Sequence, residues 1–323
     1  MEIKGYTYGY SRAMKGHYSS PEGIHSRELL MDVGINWVCL AFNVKQKTYA
    51  STEILFDYRV NVPDLELVDT IKHFHDHNVK VCLKPMIDSM DGMWRARIDF
   101  PDSTMLEEDR YWKPWFECYD AYILHYAEIA QYTGCEMFCL GCEMLGTERK
   151  EGYWRSLIAE VRKVYTGPLT YNTNHGKEET AKWYDAIDYI GTSAYYRVAK
   201  GPDASLEEMK ENWEKVADYL EGVSKRQNKK ILFMEIGCRS AAGCAAMPWD
   251  FMHKELPRSE EEQARFYESA LSVFAPREWF AGFFWWDWST KIYDSEEIAS
   301  QDTGFSIHLK KAETVLRDWY TRE

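Results

Sequence analysis

MFCLGCE at 137–143 and ILFMEIG at 231–237 decide the fold of this chain. Each is a short apolar run that reaches a glutamate, Glu143 or Glu235, with a glycine close behind at Gly146 or Gly237. A run that is apolar on both faces suits a strand covered from both sides, as in a parallel sheet. A carboxylate at the end of such a run is costly to bury without partners. Taken singly, each glutamate reads equally well as a surface residue or as half of an ion pair. Two of them, on two like strands, point to a shared purpose.

Six further runs have the same character: TYGYS (7–11), NWVCLAFN (36–43), KVCLKPMID (80–88), LTYNTN (169–174), YIGTSAYY (189–196) and FAGFFWWDW (280–288). They bring the total to eight, with the two glutamates on the fourth and the seventh. The segments between them have helical period. Leu65, Val68, Ile71 and Phe74 predict a helix over about 64–77, with Pro63 and Asp64 suited to its start. Others are expected over about 112–133 and 151–165. Ser205 and Glu208 predict a capping box ahead of a long helix to Gln227, and Ser259 with Glu262 repeats the pattern. Between the fifth and sixth runs only a short helix near 178–187 fits. Eight strands alternating with helices predict an α/β fold, a (β/α)8 TIM barrel, as a single domain over 1–323. An open doubly wound sheet would bring a glycine-rich dinucleotide loop after its first strand, and none is present.

Composition narrows the partners. The net charge of −13 disfavours nucleic acid. No apolar run reaches about 18 residues, so no membrane partner is expected. The opening MEIKGYTYGYSRAMKG lacks the features of a signal peptide, giving the expectation of a cytoplasmic protein, or a secreted one if a leader has been removed. Aromatic residues make up 15% of the chain, which suits either a packed core or a cleft for a sugar. Of the eight cysteines, Cys39, Cys82, Cys139 and Cys142 lie in the strand runs and read as small hydrophobes. The histidines fall mostly in helices and loops, which speaks against a metal site, and no organic cofactor is expected either.

In a (β/α)8 barrel the active site lies at the carboxyl ends of the strands. Here those ends carry Asn43, Lys84 with Asp88, Glu143, Asn172 with Asn174, Tyr195 with Tyr196, Glu235, and Trp286 with Trp288. Two carboxylates facing across one cleft are what glycoside hydrolysis requires, one protonated and one ionised. Tyr195 or Tyr196 is placed to orient the ionised one, and Trp286 to form a floor beneath the sugar. Lys84 needs a partner, for which Asp88 or a sugar hydroxyl would serve.

These residues resemble clan A of the glycoside hydrolases, and more closely glycoside hydrolase family 113, the β-1,4-mannanases. The resembling segments are LKPMIDSMDGMWRARI (83–98), CLGCEM (139–144), IDYIGTSAYY (187–196), FMEIGCRSAAGCAAMPWD (233–250) and GFFWWDW (282–288). The resemblance implies a retaining mechanism with Glu143 as acid/base and Glu235 as nucleophile. It implies a β-mannan or manno-oligosaccharide substrate and a cleft lined by Lys84, Asp88, Trp94, Arg95, Tyr195, Tyr196 and Trp286, with Asn43, Asn174 and Trp288 as further contacts. One position departs from the clan. An asparagine commonly precedes the acid/base and binds the sugar 2-hydroxyl; here Cys142 stands there, and that contact is unassigned. Exo-β-mannosidase and β-glucosidase-type activities remain open on the same barrel, as does a non-catalytic sugar-binding barrel. Trp249, in PWD at 248–250, reads either as a barrel cap or as a ring that stacks on a sugar.

Overall fold

The computed structural model describes residues 1–103 and 109–322. Eight strands form the barrel: β1 (Ile3–Tyr8), β2 (Trp37–Gln46), β3 (Lys80–Ser89), β4 (Met137–Cys142), β5 (Leu169–Asn174), β6 (Tyr189–Ser193), β7 (Ile231–Ile236) and β8 (Phe280–Trp288). Each pairs in parallel with the next, and β1 pairs with both β2 and β8, so the sheet closes on itself as a single-domain (β/α)8 barrel. A two-residue strand, Ile54–Leu55, runs antiparallel to the far end of β2.

Seven longer helices follow the strands: α1 (Pro21–Asp32), α2 (Asp64–Asp76), α3 (Trp112–Thr133), α4 (Glu151–Val164), α5 (Leu206–Gln227), α6 (Glu260–Phe274) and α7 (Lys311–Thr321). Ser205 caps α5 as expected, accepting the Glu208 N–H at 3.1 Å. Ser259 makes no such bond at the start of α6. In α2 the buried stripe is Leu67, Ile71 and Phe74, whereas Leu65 in the first turn is 70% exposed. No helix forms over 178–187; only a 3-10 turn, Tyr184–Ala186, lies there. Aromatic packing covers that side of the barrel instead. The Trp183 indole stacks on Trp154 at 4.6 Å and meets Tyr171 edge-on at 5.1 Å.

The barrel interior carries a buried apolar cluster that includes Ile3, Trp37, Cys39, Cys82, Met137, Cys139, Leu232, Met234, Ala281 and Phe284. The three cysteines among them serve as small hydrophobes. A larger core fills the space between sheet and helices. Strand β1 ends earlier than expected, at Tyr8, because the chain turns at Gly9 with φ 100°. A side chain there would meet the Tyr18 hydroxyl at 2.1 Å, so only glycine fits. That turn sends Tyr10 over the barrel mouth. Among the described residues no helix is long and apolar enough to cross a membrane.

Candidate active site

Glu235 lies near the end of β7, 4% exposed, and its two oxygens have unlike surroundings. Oε1 receives the Lys84 ammonium at 2.6 Å, the Asn172 amide at 2.9 Å and the Cys142 thiol at 3.3 Å. Oε2 receives the Tyr195 hydroxyl at 3.2 Å. Lys84 is fully buried on β3. Burial alone would drive its ammonium toward neutrality, but the charge of the Glu235 carboxylate opposes this and its pKa lies well above the ordinary lysine value. The same ammonium lies 5.7 Å from the centre of the Trp286 ring, which Tyr10 flanks at 4.8 Å.

Glu143 is the first residue past β4 and takes a left-handed backbone with φ 53°, which non-glycine residues seldom adopt. Its N–H donates to the Asn172 carbonyl at 2.7 Å, tying the turn to β5. Trp94 donates its indole N–H to Glu143 Oε2 at 3.1 Å, and the Asn174 amide donates to Oε1 at 2.9 Å. Arg95 stands 3.5 Å from Oε2. Burial, and next the negative charge of Glu235, raise the Glu143 pKa; Arg95, Trp94 and Ser193 oppose the rise.

Asp88 and Arg95 join the two sides of the mouth. The Arg95 guanidinium binds Asp88 Oδ1 at 2.5 Å and donates to the Tyr10 hydroxyl at 2.6 Å. Asp88 Oδ2 accepts from Tyr10 at 2.9 Å and from Asn43 at 2.7 Å. Asp88 is therefore not the partner of Lys84. Despite its burial, the Arg95 charge and these hydrogen bonds hold its pKa below the usual carboxylate range.

Thus Lys84, Tyr195 and Trp286 gather at Glu235, Trp94, Arg95 and Asn174 at Glu143, and Asp88 and Asn43 on the wall that carries Arg95. Two expected contacts lie elsewhere. The Tyr196 hydroxyl bonds the buried Glu178 and accepts the Gly176 N–H at 3.1 Å, so it does not reach Glu235. Trp288 is buried in the outer core, where its indole donates to Ser26 Oγ at 3.0 Å and its ring packs on Tyr6. Two residues apart on a regular strand, the two rings would share a face. The alternation breaks between them, so that Trp286 turns into the mouth while Trp288 packs against α1 and the outer core. Trp249 sits on the rim, 42% exposed, 6.1 Å from the His175 ring and 5.9 Å from the Arg197 guanidinium.

Two participants, Tyr10 and Asp287, escaped the sequence reading, and Asn172 is named there as a strand-end residue without a role. Tyr10 comes from the turn beyond β1. Asn172 shares the inward face of β5 with Asn174, two residues on, a period-two relation that the sequence displays. Asp287 follows Trp286; burial raises its pKa to about 6 against a Ser11 hydrogen bond, with the Glu235 charge adding to the rise. Its Oδ2 is buried without a hydrogen-bond partner among the described residues.

A closed parallel barrel with two buried glutamates at its mouth, one held by a buried lysine and the other pushed toward its protonated form, has the architecture of a glycoside hydrolase. The description of Glycoside Hydrolase Family 113 matches residues 6–310, and the chain belongs to that family. A solved complex of a GH113 β-1,4-mannanase is 37% identical over 100% of both chains, with a TM-score of 0.90. The GH113 β-mannanase AaManA of Alicyclobacillus acidocaldarius, solved with ManMIm, is 36% identical over 99% of this chain and 97% of its own, with a TM-score of 0.89. A β-glucuronidase of Faecalibacterium prausnitzii, 14% identical with a TM-score of 0.64 over 99% of this chain and 49% of its own, shares the fold alone. A comparison with curated protein sequences finds no match.

Proposed function

We propose that this protein is a retaining β-1,4-mannanase, acting on mannan, glucomannan or manno-oligosaccharides, with residues 1–323 as one catalytic domain. Glu143 is the acid/base and Glu235 the nucleophile. The observation that carries this reading is the unequal setting of the two carboxylates. A buried ammonium neutralises Glu235 at 2.6 Å, while burial and the Glu235 charge raise the pKa of Glu143. Such a pair supplies a nucleophile and a proton donor at one pH. The family membership and the mannanases at 36–37% identity support the choice of sugar.

In the first step a Glu235 oxygen bonds to the anomeric carbon. The glycosidic C–O bond breaks, and the departing oxygen keeps its electron pair and takes the proton of Glu143. Trp94 and Asn174 aim the Glu143 carboxyl. Trp286 forms the floor under the sugar, and Asn43, Asp88 and Arg95 supply polar contacts along one wall. Once Glu235 is an ester its charge is gone, and with it one cause of the raised Glu143 pKa. Glu143 then accepts a proton from water, whose oxygen attacks the anomeric carbon and returns Glu235 as a carboxylate.

Following manno-oligosaccharide hydrolysis by proton NMR tests this directly. The β-anomer is expected to appear first, followed by slow mutarotation. First appearance of the α-anomer would overturn the retaining mechanism. Release of mannose alone from reduced oligosaccharides would replace the endo reading with an exo-β-mannosidase.

A further inference from the structure

Asn172 is fully buried on β5, and its amide N–H donors are engaged within the protein rather than offered to a sugar. One amide hydrogen reaches Glu235 Oε1 at 2.9 Å and the other the Cys142 sulfur at 3.1 Å. Its carbonyl oxygen accepts the Ser193 hydroxyl at 3.3 Å. An amide has two N–H donors, and both are engaged. The chain thus places an amide beside the nucleophile from the strand after the one carrying Cys142, and Cys142 completes the same cradle with its thiol. Burial holds that thiol well above the ordinary cysteine pKa, so it keeps its proton and donates.

The cradle is one-sided. Lys84, Asn172 and Cys142 all converge on Oε1, whereas Oε2 has the Tyr195 hydroxyl. An oxygen surrounded by three donors has its lone pairs occupied and is the poorer nucleophile. We infer that Asn172 is a positioning residue that, with Lys84 and Cys142, anchors Glu235 through Oε1 and so selects Oε2 as the oxygen that attacks the sugar. This rests on Glu235 being the nucleophile. In the attack the C1–Oε2 bond forms, the C1–leaving-group bond breaks and its electron pair departs with the leaving group. Oε1 becomes the ester carbonyl oxygen and keeps its donors.

A 2-deoxy-2-fluoro-mannosyl fluoride tests the selection on the unaltered protein, since fluoride leaves as an anion and needs no proton from Glu143. A crystal structure of the labelled protein is expected to show the sugar bonded to Glu235 Oε2 with the Asn172 amide still on Oε1. A sugar bonded to Oε1 would overturn the inference and leave Glu235 as nucleophile. A sugar bonded to any other residue would overturn the assignment of Glu235 and the inference with it. Asn172→Ala supplies the kinetic arm. Misplacement of a reacting atom by about 1 Å costs on the order of 100-fold in rate. The variant is therefore expected to lose a large part of the maximal inactivation rate by this reagent, with little change in the concentration giving half that rate. A variant that melts earlier but inactivates at the unaltered rate would make Asn172 a purely structural residue and overturn the inference.

Discussion

The Lys84 ammonium lies 2.6 Å from Glu235 Oε1, with both side chains withdrawn from solvent. A buried charge stripped of its partner costs roughly 3–5 kcal/mol. Lys84→Met is expected to lower the stability by an amount in that range and to cut kcat at least 100-fold (an order-of-magnitude figure for a lost charge at the reacting centre). Denaturant unfolding and steady-state kinetics check both parts. A variant of ordinary stability and activity would show that Lys84 is not the counter-charge.

Burial and the charge of Glu235 both raise the Glu143 pKa. Glu235→Gln removes that charge and keeps the shape, so the Glu143 pKa is expected to fall. Carbon-13 NMR titration of labelled glutamate reads it directly. An unmoved pKa would mean that the two carboxylates do not feel one another.

Trp94 donates to Glu143 Oε2 at 3.1 Å. A donor to the carboxylate favours the charged form and lowers the pKa. Trp94→Phe removes the donor, so Glu143 holds its proton to higher pH. The alkaline limb of the kcat/KM profile is expected to move upward. A downward move would contradict the assignment of Glu143 as the proton donor.

Trp286 and Trp288 are two residues apart yet serve different parts of the molecule. Trp288→Ala removes a buried ring from the outer core and is expected to cost about 3–5 kcal/mol of stability, with little change in kcat/KM for the protein that folds. Trp286→Ala is expected to reduce kcat/KM strongly and stability less. Thermal unfolding and kinetics on both variants separate the roles, and a reversed pattern would contradict the placement of the two rings.

Much of this was legible in the sequence because strand and helix periods report which faces are covered. Seven of the strands and the five longer helices expected from the periodicity lie close to where it puts them. Strand β1 instead begins at Ile3, upstream of its expected run, and the helices at Pro21–Asp32 and Lys311–Thr321 were not foreseen. The misses have physical causes. The stretch 178–187 needs no helix because Trp183 fills the gap by stacking on Trp154. Leu65 fits the helical spacing, but Leu67 is the residue that faces the core. Strand ends mark candidate site residues, whereas their partners depend on barrel closure. Lys84 meets Glu235 across 151 positions of chain, and Asp88 goes instead to Arg95. Tyr196 has the right place in the chain and the wrong direction, because Glu178 claims its hydroxyl.

The central claim is that Glu235 bonds to the sugar while Glu143 moves the proton. Azide rescue of Glu235→Ala tests it most directly. With an aryl β-mannoside bearing a good leaving group, azide occupying the vacated space is expected to attack from the nucleophile's face and yield an α-mannosyl azide. A β-mannosyl azide from this variant, or full activity without azide, would contradict the account.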